Sequence, residues 1–126
     1  MRLHLSVGLV LSLAAAAQDP SLNPALHVAF VGDLESERGA DFVKFLRQHF
    51  ARVDSVERSK CTPDQLRTAH VIVLDWPQQV MAWTQDKDKP RHNPLGELLR
   101  WDRPAVLIGS AGLNLAADWN LPGTQG

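Results

Sequence analysis

The chain has 126 residues, enough for one domain and too few for two. Its 13 Lys and Arg against 14 Asp and Glu give a formal charge of −1, so no overall field argues for nucleic acid or an anionic membrane surface. The single cysteine, Cys61, excludes an intramolecular disulfide and leaves stability to the hydrophobic core.

Residues 1–17 read as a secretory signal. Arg2 supplies a short positive start, an apolar run containing Leu9, Val10, Leu11 and Leu13 follows, and Ala15, Ala16 and Ala17 offer the small residues for cleavage before Gln18. The run is shorter than the roughly 20 apolar residues a membrane anchor needs. A secreted or periplasmic protein is therefore expected, with no stable membrane insertion after cleavage. Residues 18–25, polar and carrying Pro20 and Pro24, read as a linker, and residues 26–126 as a single α/β domain.

The apolar run 26–31, stopped by Gly32 and Asp33, predicts a buried first strand. Ser36 is a good N-cap, and Ala40, Val43, Leu46 and Phe50 recur at helical spacing with Arg38, Asp41, Lys44 and Arg47 elsewhere on the wheel, which predicts a helix of about fourteen residues. Residues 52–56, with Val53 and Val56 as the main apolar members, suggest a shorter strand nearer a sheet edge. Thr62, Pro63 and Gln65 form a capping signature for a short helix reaching Ala69. Val71, Ile72, Val73 and Leu74 then make a buried central strand that runs into Asp75.

Beyond Pro77, Val80, Met81 and Trp83 suggest a further short helix, and residues 85–94 a charged surface loop. A helical turn or two over 95–101 is expected to pack Leu98, Leu99 and Trp101 inward. Residues 104–108 predict another buried strand, ended by the turn from Gly109 to Gly112. From Leu113 onward the chain offers one or two helical turns and then polar turn residues. Four apolar strands alternating with helices specify a three-layer α/β fold with a parallel sheet, and right-handed crossovers give the flavodoxin-like order 2-1-3-4. The ordinary strand count of such sheets makes a fifth strand beyond Gly126 the expectation.

Ligands of open parallel sheets bind past the carboxyl ends of the strands, where the strand order reverses. That edge gathers Asp33, Asp75, Trp76, Gly109, Ser110 and Gly112 as candidate ligand-binding residues: the acids as hydrogen-bond acceptors, Trp76 as a stacking wall, and the 109–112 turn as a platform of backbone donors. Each acid also suits the plain role of satisfying loop amides, and each tryptophan that of covering the sheet. No catalytic residue, metal or cofactor is assigned. Gly109 and Gly112 are too close together to frame Ser110 as a nucleophile elbow, and His27 and His70 begin strands at the opposite edge. Paired His or Cys ligands at metal-binding spacing are missing, and Asp33, Glu35 and Asp75 follow no cation-loop signature.

Two resemblances use this edge. Asp33, Asp75 and Ser110 occupy the positions of the acid, phospho-accepting Asp and Ser/Thr of a response-regulator receiver, which would imply Mg²⁺-assisted phosphoryl transfer to Asp75; the chain has Gly32-Asp33 where receivers carry adjacent acids. Over residues 27–115 the layout is similar to class I glutamine amidotransferase-like and ThuA-like proteins, anchored at Asp75-Trp76 and Gly109-Ser110-Ala111-Gly112. That second resemblance implies an exported domain associated with carbohydrate metabolism. The nucleophilic Cys of true amidotransferases is missing from 109–112, and no His follows His92. The expectation is a domain without a complete catalytic constellation, binding a small molecule such as a carbohydrate, or a partner, at the carboxyl edge. A ThuA-like carbohydrate-active enzyme fragment is the alternative.

Overall fold

A computed structural model describes residues 22–77 and 92–122. The expected leader 1–17, the first half of the linker, the short helix around Val80 to Trp83, most of the 85–94 loop and residues 123–126 lie outside the described residues. Four strands, β1 (Asn23–Gly32), β2 (Phe50–Glu57), β3 (Val71–Trp76) and β4 (Ala105–Gly109), form one sheet in the order β2-β1-β3-β4. Every pairing is parallel, and the order is the one the crossover rule predicts. Helix α1 (Glu37–His49) follows β1, and α2 (Ala111–Asp118) follows β4.

The strands are apolar on both faces because both faces are covered. On one, α1 lays Val43 and Leu46 over Val28, Phe30 and Val73. On the other, Ala29, Val31, Ile72, Leu74 and Trp76 pack with Cys61, Leu66, Leu95 and, from α2, Ala111 and Leu115. Each fully buried large side chain among these is worth about 1.5–3 kcal/mol against exposure, so the central pair β1 and β3 concentrates the stabilisation.

The structure corrects several local expectations. Strand β1 begins at Asn23 rather than after a linker ending at residue 25; residues 23–25 are exposed and the register with β2 shifts between Asn23 and His27. Pro24 is tolerated there because β3 pairs with β1 only from Val28, so the missing N–H breaks no ladder on that side. Helix α1 faces the sheet with Gly39, Val43 and Leu46, leaving Ala40 exposed and Phe50 at the start of β2. The segment after Thr62 is a 3-10 turn over Pro63–Leu66 rather than an α-helix, although Gln65 Oε1 does accept from the Thr62 amide at 2.8 Å.

Leu98 and Leu99 do not pack inward: they are 40 % and 98 % exposed in a three-residue 3-10 turn, Leu98–Arg100, while Leu95 takes the buried place. Pro94 is buried too, so the expected surface loop ends in the core. Trp119 docks this region by donating Nε1–H to the Gly96 carbonyl at 2.8 Å. Finally, β4 is not a buried strand. It pairs with β3 alone among the described residues, and Val106 and Leu107 are half exposed. Apolar composition cannot separate a central strand from one lying at the edge of the sheet.

Candidate functional site

Order 2-1-3-4 reverses between β1 and β3, so the loops leaving these two strands flank the switch point. The first loop is tightly organised. Ser36 closes it by donating its hydroxyl to the Asp33 carbonyl at 2.7 Å while accepting from the Gly39 amide at 3.0 Å, which caps α1. Gly39 is required by close approach: a Cβ there would lie 1.9 Å from the Asp33 carbonyl oxygen. The Asp33 side chain is partly exposed and accepts from the Glu35 amide at 3.3 Å.

This cap aims Arg38, in the first turn of α1, at the end of β3. Arg38 donates Nε–H and Nη2–H to the two carboxylate oxygens of Asp75, both at 2.9 Å. Asp75 is 1 % exposed, and a carboxylate so buried requires a paired charge. The guanidinium also lies 5.3 Å over the Phe42 ring, which stacks on the core residue Phe30. Hydrogen bonding and charge from Asp75 push Arg38 still higher than an ordinary guanidinium, outweighing its slight desolvation. The guanidinium is thus a fixed cation, held from one side and about half exposed on the other.

Arg38 lines a concavity of about 560 Å³ with Glu37, Asp41, Phe42 and Phe45. Phe45 is 55 % exposed, so the hollow offers an aromatic wall beside a positioned cation. A second concavity of about 500 Å³ lies between the 63–66 turn and residues 95–103, in the segments that precede β3 and β4. Its charges are already matched, Arg67 to Asp64 at 2.8 Å, Arg100 to Glu97 at 3.2 Å and Arg103 to Asp102 at 3.4 Å. The hollow at Arg38 is the one lined by the residue that pairs with Asp75 at the end of β3.

The other candidates are placed differently. Alternation along β3 turns Asp75 toward α1 and Trp76 toward the opposite face, where Trp76 is 7 % exposed and Arg58 lies 4.7 Å over its ring. Arg58 Nε is buried there without a partner. Gly109 holds φ +69 and a Cβ on it would meet the Trp76 carbonyl oxygen at 2.6 Å. Ser110 donates both its amide and its hydroxyl to that carbonyl, at 2.8 and 2.9 Å, and its hydroxyl accepts from Asn114. The 109–110 turn is therefore stitched to the end of β3. Gly112 lies in the first turn of α2, where a methyl would find only ordinary contact with Leu107.

The structure thus brings Arg38 to Asp75 and Ser110 to Trp76, on opposite faces of the sheet. Transfer of a phosphoryl group to Asp75 would first have to break the Arg38 pair. At the end of β2, burial pushes the Glu57 carboxyl up, but hydrogen bonds from the Leu34 and Ser59 amides and the Ser59 hydroxyl, with the charge of Arg58, hold it below the usual glutamate range. Cys61 is fully buried, and desolvation pushes its thiol up to about 11, so Arg58 and Lys60 do not make it a thiolate. Among the described residues, no group of three or more His, Cys, Asp or Glu could hold a metal ion, and no helix is long and apolar enough to cross a membrane.

Arg38 escaped the sequence reading, which counted it among the polar positions of the helix. The available signal was Asp75 itself: an acid ending a wholly apolar strand needs a cation, and the first turn after β1 is the nearest element in this topology. Comparison with protein-family models, curated proteins and solved structures finds no match for this chain.

Proposed function

We propose that this is an exported small-molecule-binding domain whose ligand sits beside the switch point and presents an acidic group to Arg38. The observation that carries this reading is the bidentate pair itself. A buried Asp75 fixes the orientation of a half-exposed guanidinium at the strand ends, and the N–H groups not used by Asp75 suit a carboxylate. Phe42 and Phe45 supply flat apolar surface next to it, which suits the C–H face of a sugar ring. A sugar acid is accordingly the ligand class, in keeping with the resemblance to ThuA-like proteins. Asp75 then acts as a positioning residue, working through Arg38.

The test is a titration of the chain with D-galacturonate and, separately, D-galactose, followed by backbone amide spectra. Perturbation centred on residues 37–45 with the uronate, weaker with the neutral sugar and lost in Arg38→Gln, is expected. An Asp75→Asn variant that folds normally and binds the uronate undiminished would remove the positioning role, and no perturbation by the uronate would remove the ligand class. Export is checked by the intact mass of protein recovered from the periplasm, expected to begin at Gln18.

A further inference from the structure

The amino-terminal edge of the sheet, opposite the candidate ligand site, holds a histidine whose surroundings constrain its protonation. The His27 side chain is 1 % exposed. Its Nδ1 lies 2.8 Å from the Thr68 carbonyl oxygen, and its Nε2 lies 2.7 Å from Asp54 Oδ2. Carbonyl and ionised carboxylate oxygens are acceptors only. A neutral imidazole carries one N–H, so it serves one of them and sets a nitrogen lone pair against the other at hydrogen-bond distance. An imidazolium serves both.

The neighbouring charges fit that form. From β2, Asp54 faces the ring, and Arg52 is the register partner of His27. From the turn before β3 come the Thr68 carbonyl and His70, whose ring stands edge-on at 6.3 Å. His70 Nδ1 accepts from the His27 amide at 3.0 Å, and the His70 amide donates to the His27 carbonyl at 2.8 Å. The same turn exposes Arg67, which pairs with Asp64. Arg103, ahead of β4, donates to the Leu66 and Ala69 carbonyls of that turn. Among these charged side chains, Asp54 is the one that contacts the His27 ring, and it favours the charged form.

We infer that His27 is held as the imidazolium and that its second proton makes it a clasp joining β1, β2 and the turn leading into β3. When that proton leaves to solvent, one ring N–H remains, and either Thr68 or Asp54 loses its donor. The sign follows: the clasp is closed on the acid side of the His27 titration and opens as pH rises through it. His70 works in the opposite sense, because its Nδ1 accepts a hydrogen bond and must be free of a proton to do so. The amino-terminal edge therefore loosens on alkalisation, as the second ring proton of His27 is lost.

The full chain tests this directly. Long-range ¹H–¹⁵N spectra of the imidazoles at about pH 6, in the lower part of the histidine range, should show both nitrogens of His27 protonated, with its signals identified by their loss in His27→Gln. A single protonated ring nitrogen would overturn the inference. Thermal melts give a second reading. Asp54 is half exposed on an edge strand, so Asp54→Asn is expected to fold while lacking the anion of the clasp. Between about pH 6 and 8, wild type should lose more melting temperature than Asp54→Asn, by about 4–8 °C; parallel losses refute the clasp. The difference should persist in a His70→Gln background, and its disappearance would assign the effect to His70 instead.

Discussion

Two helical glycines should respond to the same substitution with opposite signs. In a helix interior Gly→Ala ordinarily stabilises, by about 0.4–1 kcal/mol. Gly112, in α2, should follow that rule: its new methyl would lie 3.9 Å from Leu107 Cδ1, an ordinary contact, so Gly112→Ala should gain about 0.5 kcal/mol. Gly39, in α1, should break it. There the methyl would lie 1.9 Å from the Asp33 carbonyl oxygen and 3.2 Å from Ser36 Oγ. The first turn must move away from the loop by more than an ångström, which removes the Ser36 cap, worth about 1 kcal/mol. Local overpacking adds about 1–3 kcal/mol. Set against the propensity gain, the net loss is about 2 kcal/mol, or roughly 8 °C in Tm at about 4 °C per kcal/mol. Thermal and urea denaturation followed by circular dichroism measure both variants. A Gly39→Ala protein at least as stable as wild type would refute the close-approach argument, and with it the account of how the cap aims Arg38. Because Arg38 is the preceding residue, Gly39→Ala should also weaken binding of the uronate in the folded protein, whereas Gly112→Ala should leave it unchanged.

Two further outcomes follow from titratable groups. Cys61, buried and with its thiol pushed up to about 11, should resist a thiol-specific disulfide reagent at about pH 8 in the native protein and react within minutes in denaturant, since the thiolate is the nucleophile; equal rates would refute the burial. Glu57 is held below the usual glutamate range in the folded protein, so its contribution is present above the unfolded-state value and is lost as pH falls through the lowered folded one. Glu57→Gln should therefore flatten the acid limb of the stability profile, read from urea melts across about pH 3 to 6, and an unchanged limb would contradict the hydrogen bonds from Leu34 and Ser59.

What the sequence could disclose depended on whether the relevant physics was periodic or relational. Continuous apolar runs such as Val28–Val31 and Ile72–Leu74 report burial on both faces, and with right-handed crossovers that is enough to order the strands. Capping chemistry is local, so Ser36 could be read directly. Alternation along β3 is equally local, and it already separates Asp75 from Trp76 by placing them on opposite faces. Both nevertheless stand at the same strand end, which is why position alone grouped them into one edge.

The site itself is relational. A helical wheel assigns Arg38 to the polar side and stops there, but Cα–Cβ bonds tilt toward the helix N-terminus, so a long side chain in the first turn overhangs the strand ends. Only the placement of α1 across the sheet shows that Asp75 lies beneath it. The same holds at the other end, where His27 and His70 could be located from strand starts, yet the two acceptors around the His27 ring come from β2 and from a turn 41 residues away. Strand exposure is relational as well. The residues of β4 are as apolar as those of β3, and their exposure follows from having one neighbour among the described residues instead of two. A buried charge is the point at which sequence can reach such relations, because an acid in an apolar strand requires its partner to exist. For Asp75 that requirement limits the search to elements passing the carboxyl end of β3, and Arg38 is the residue that meets it.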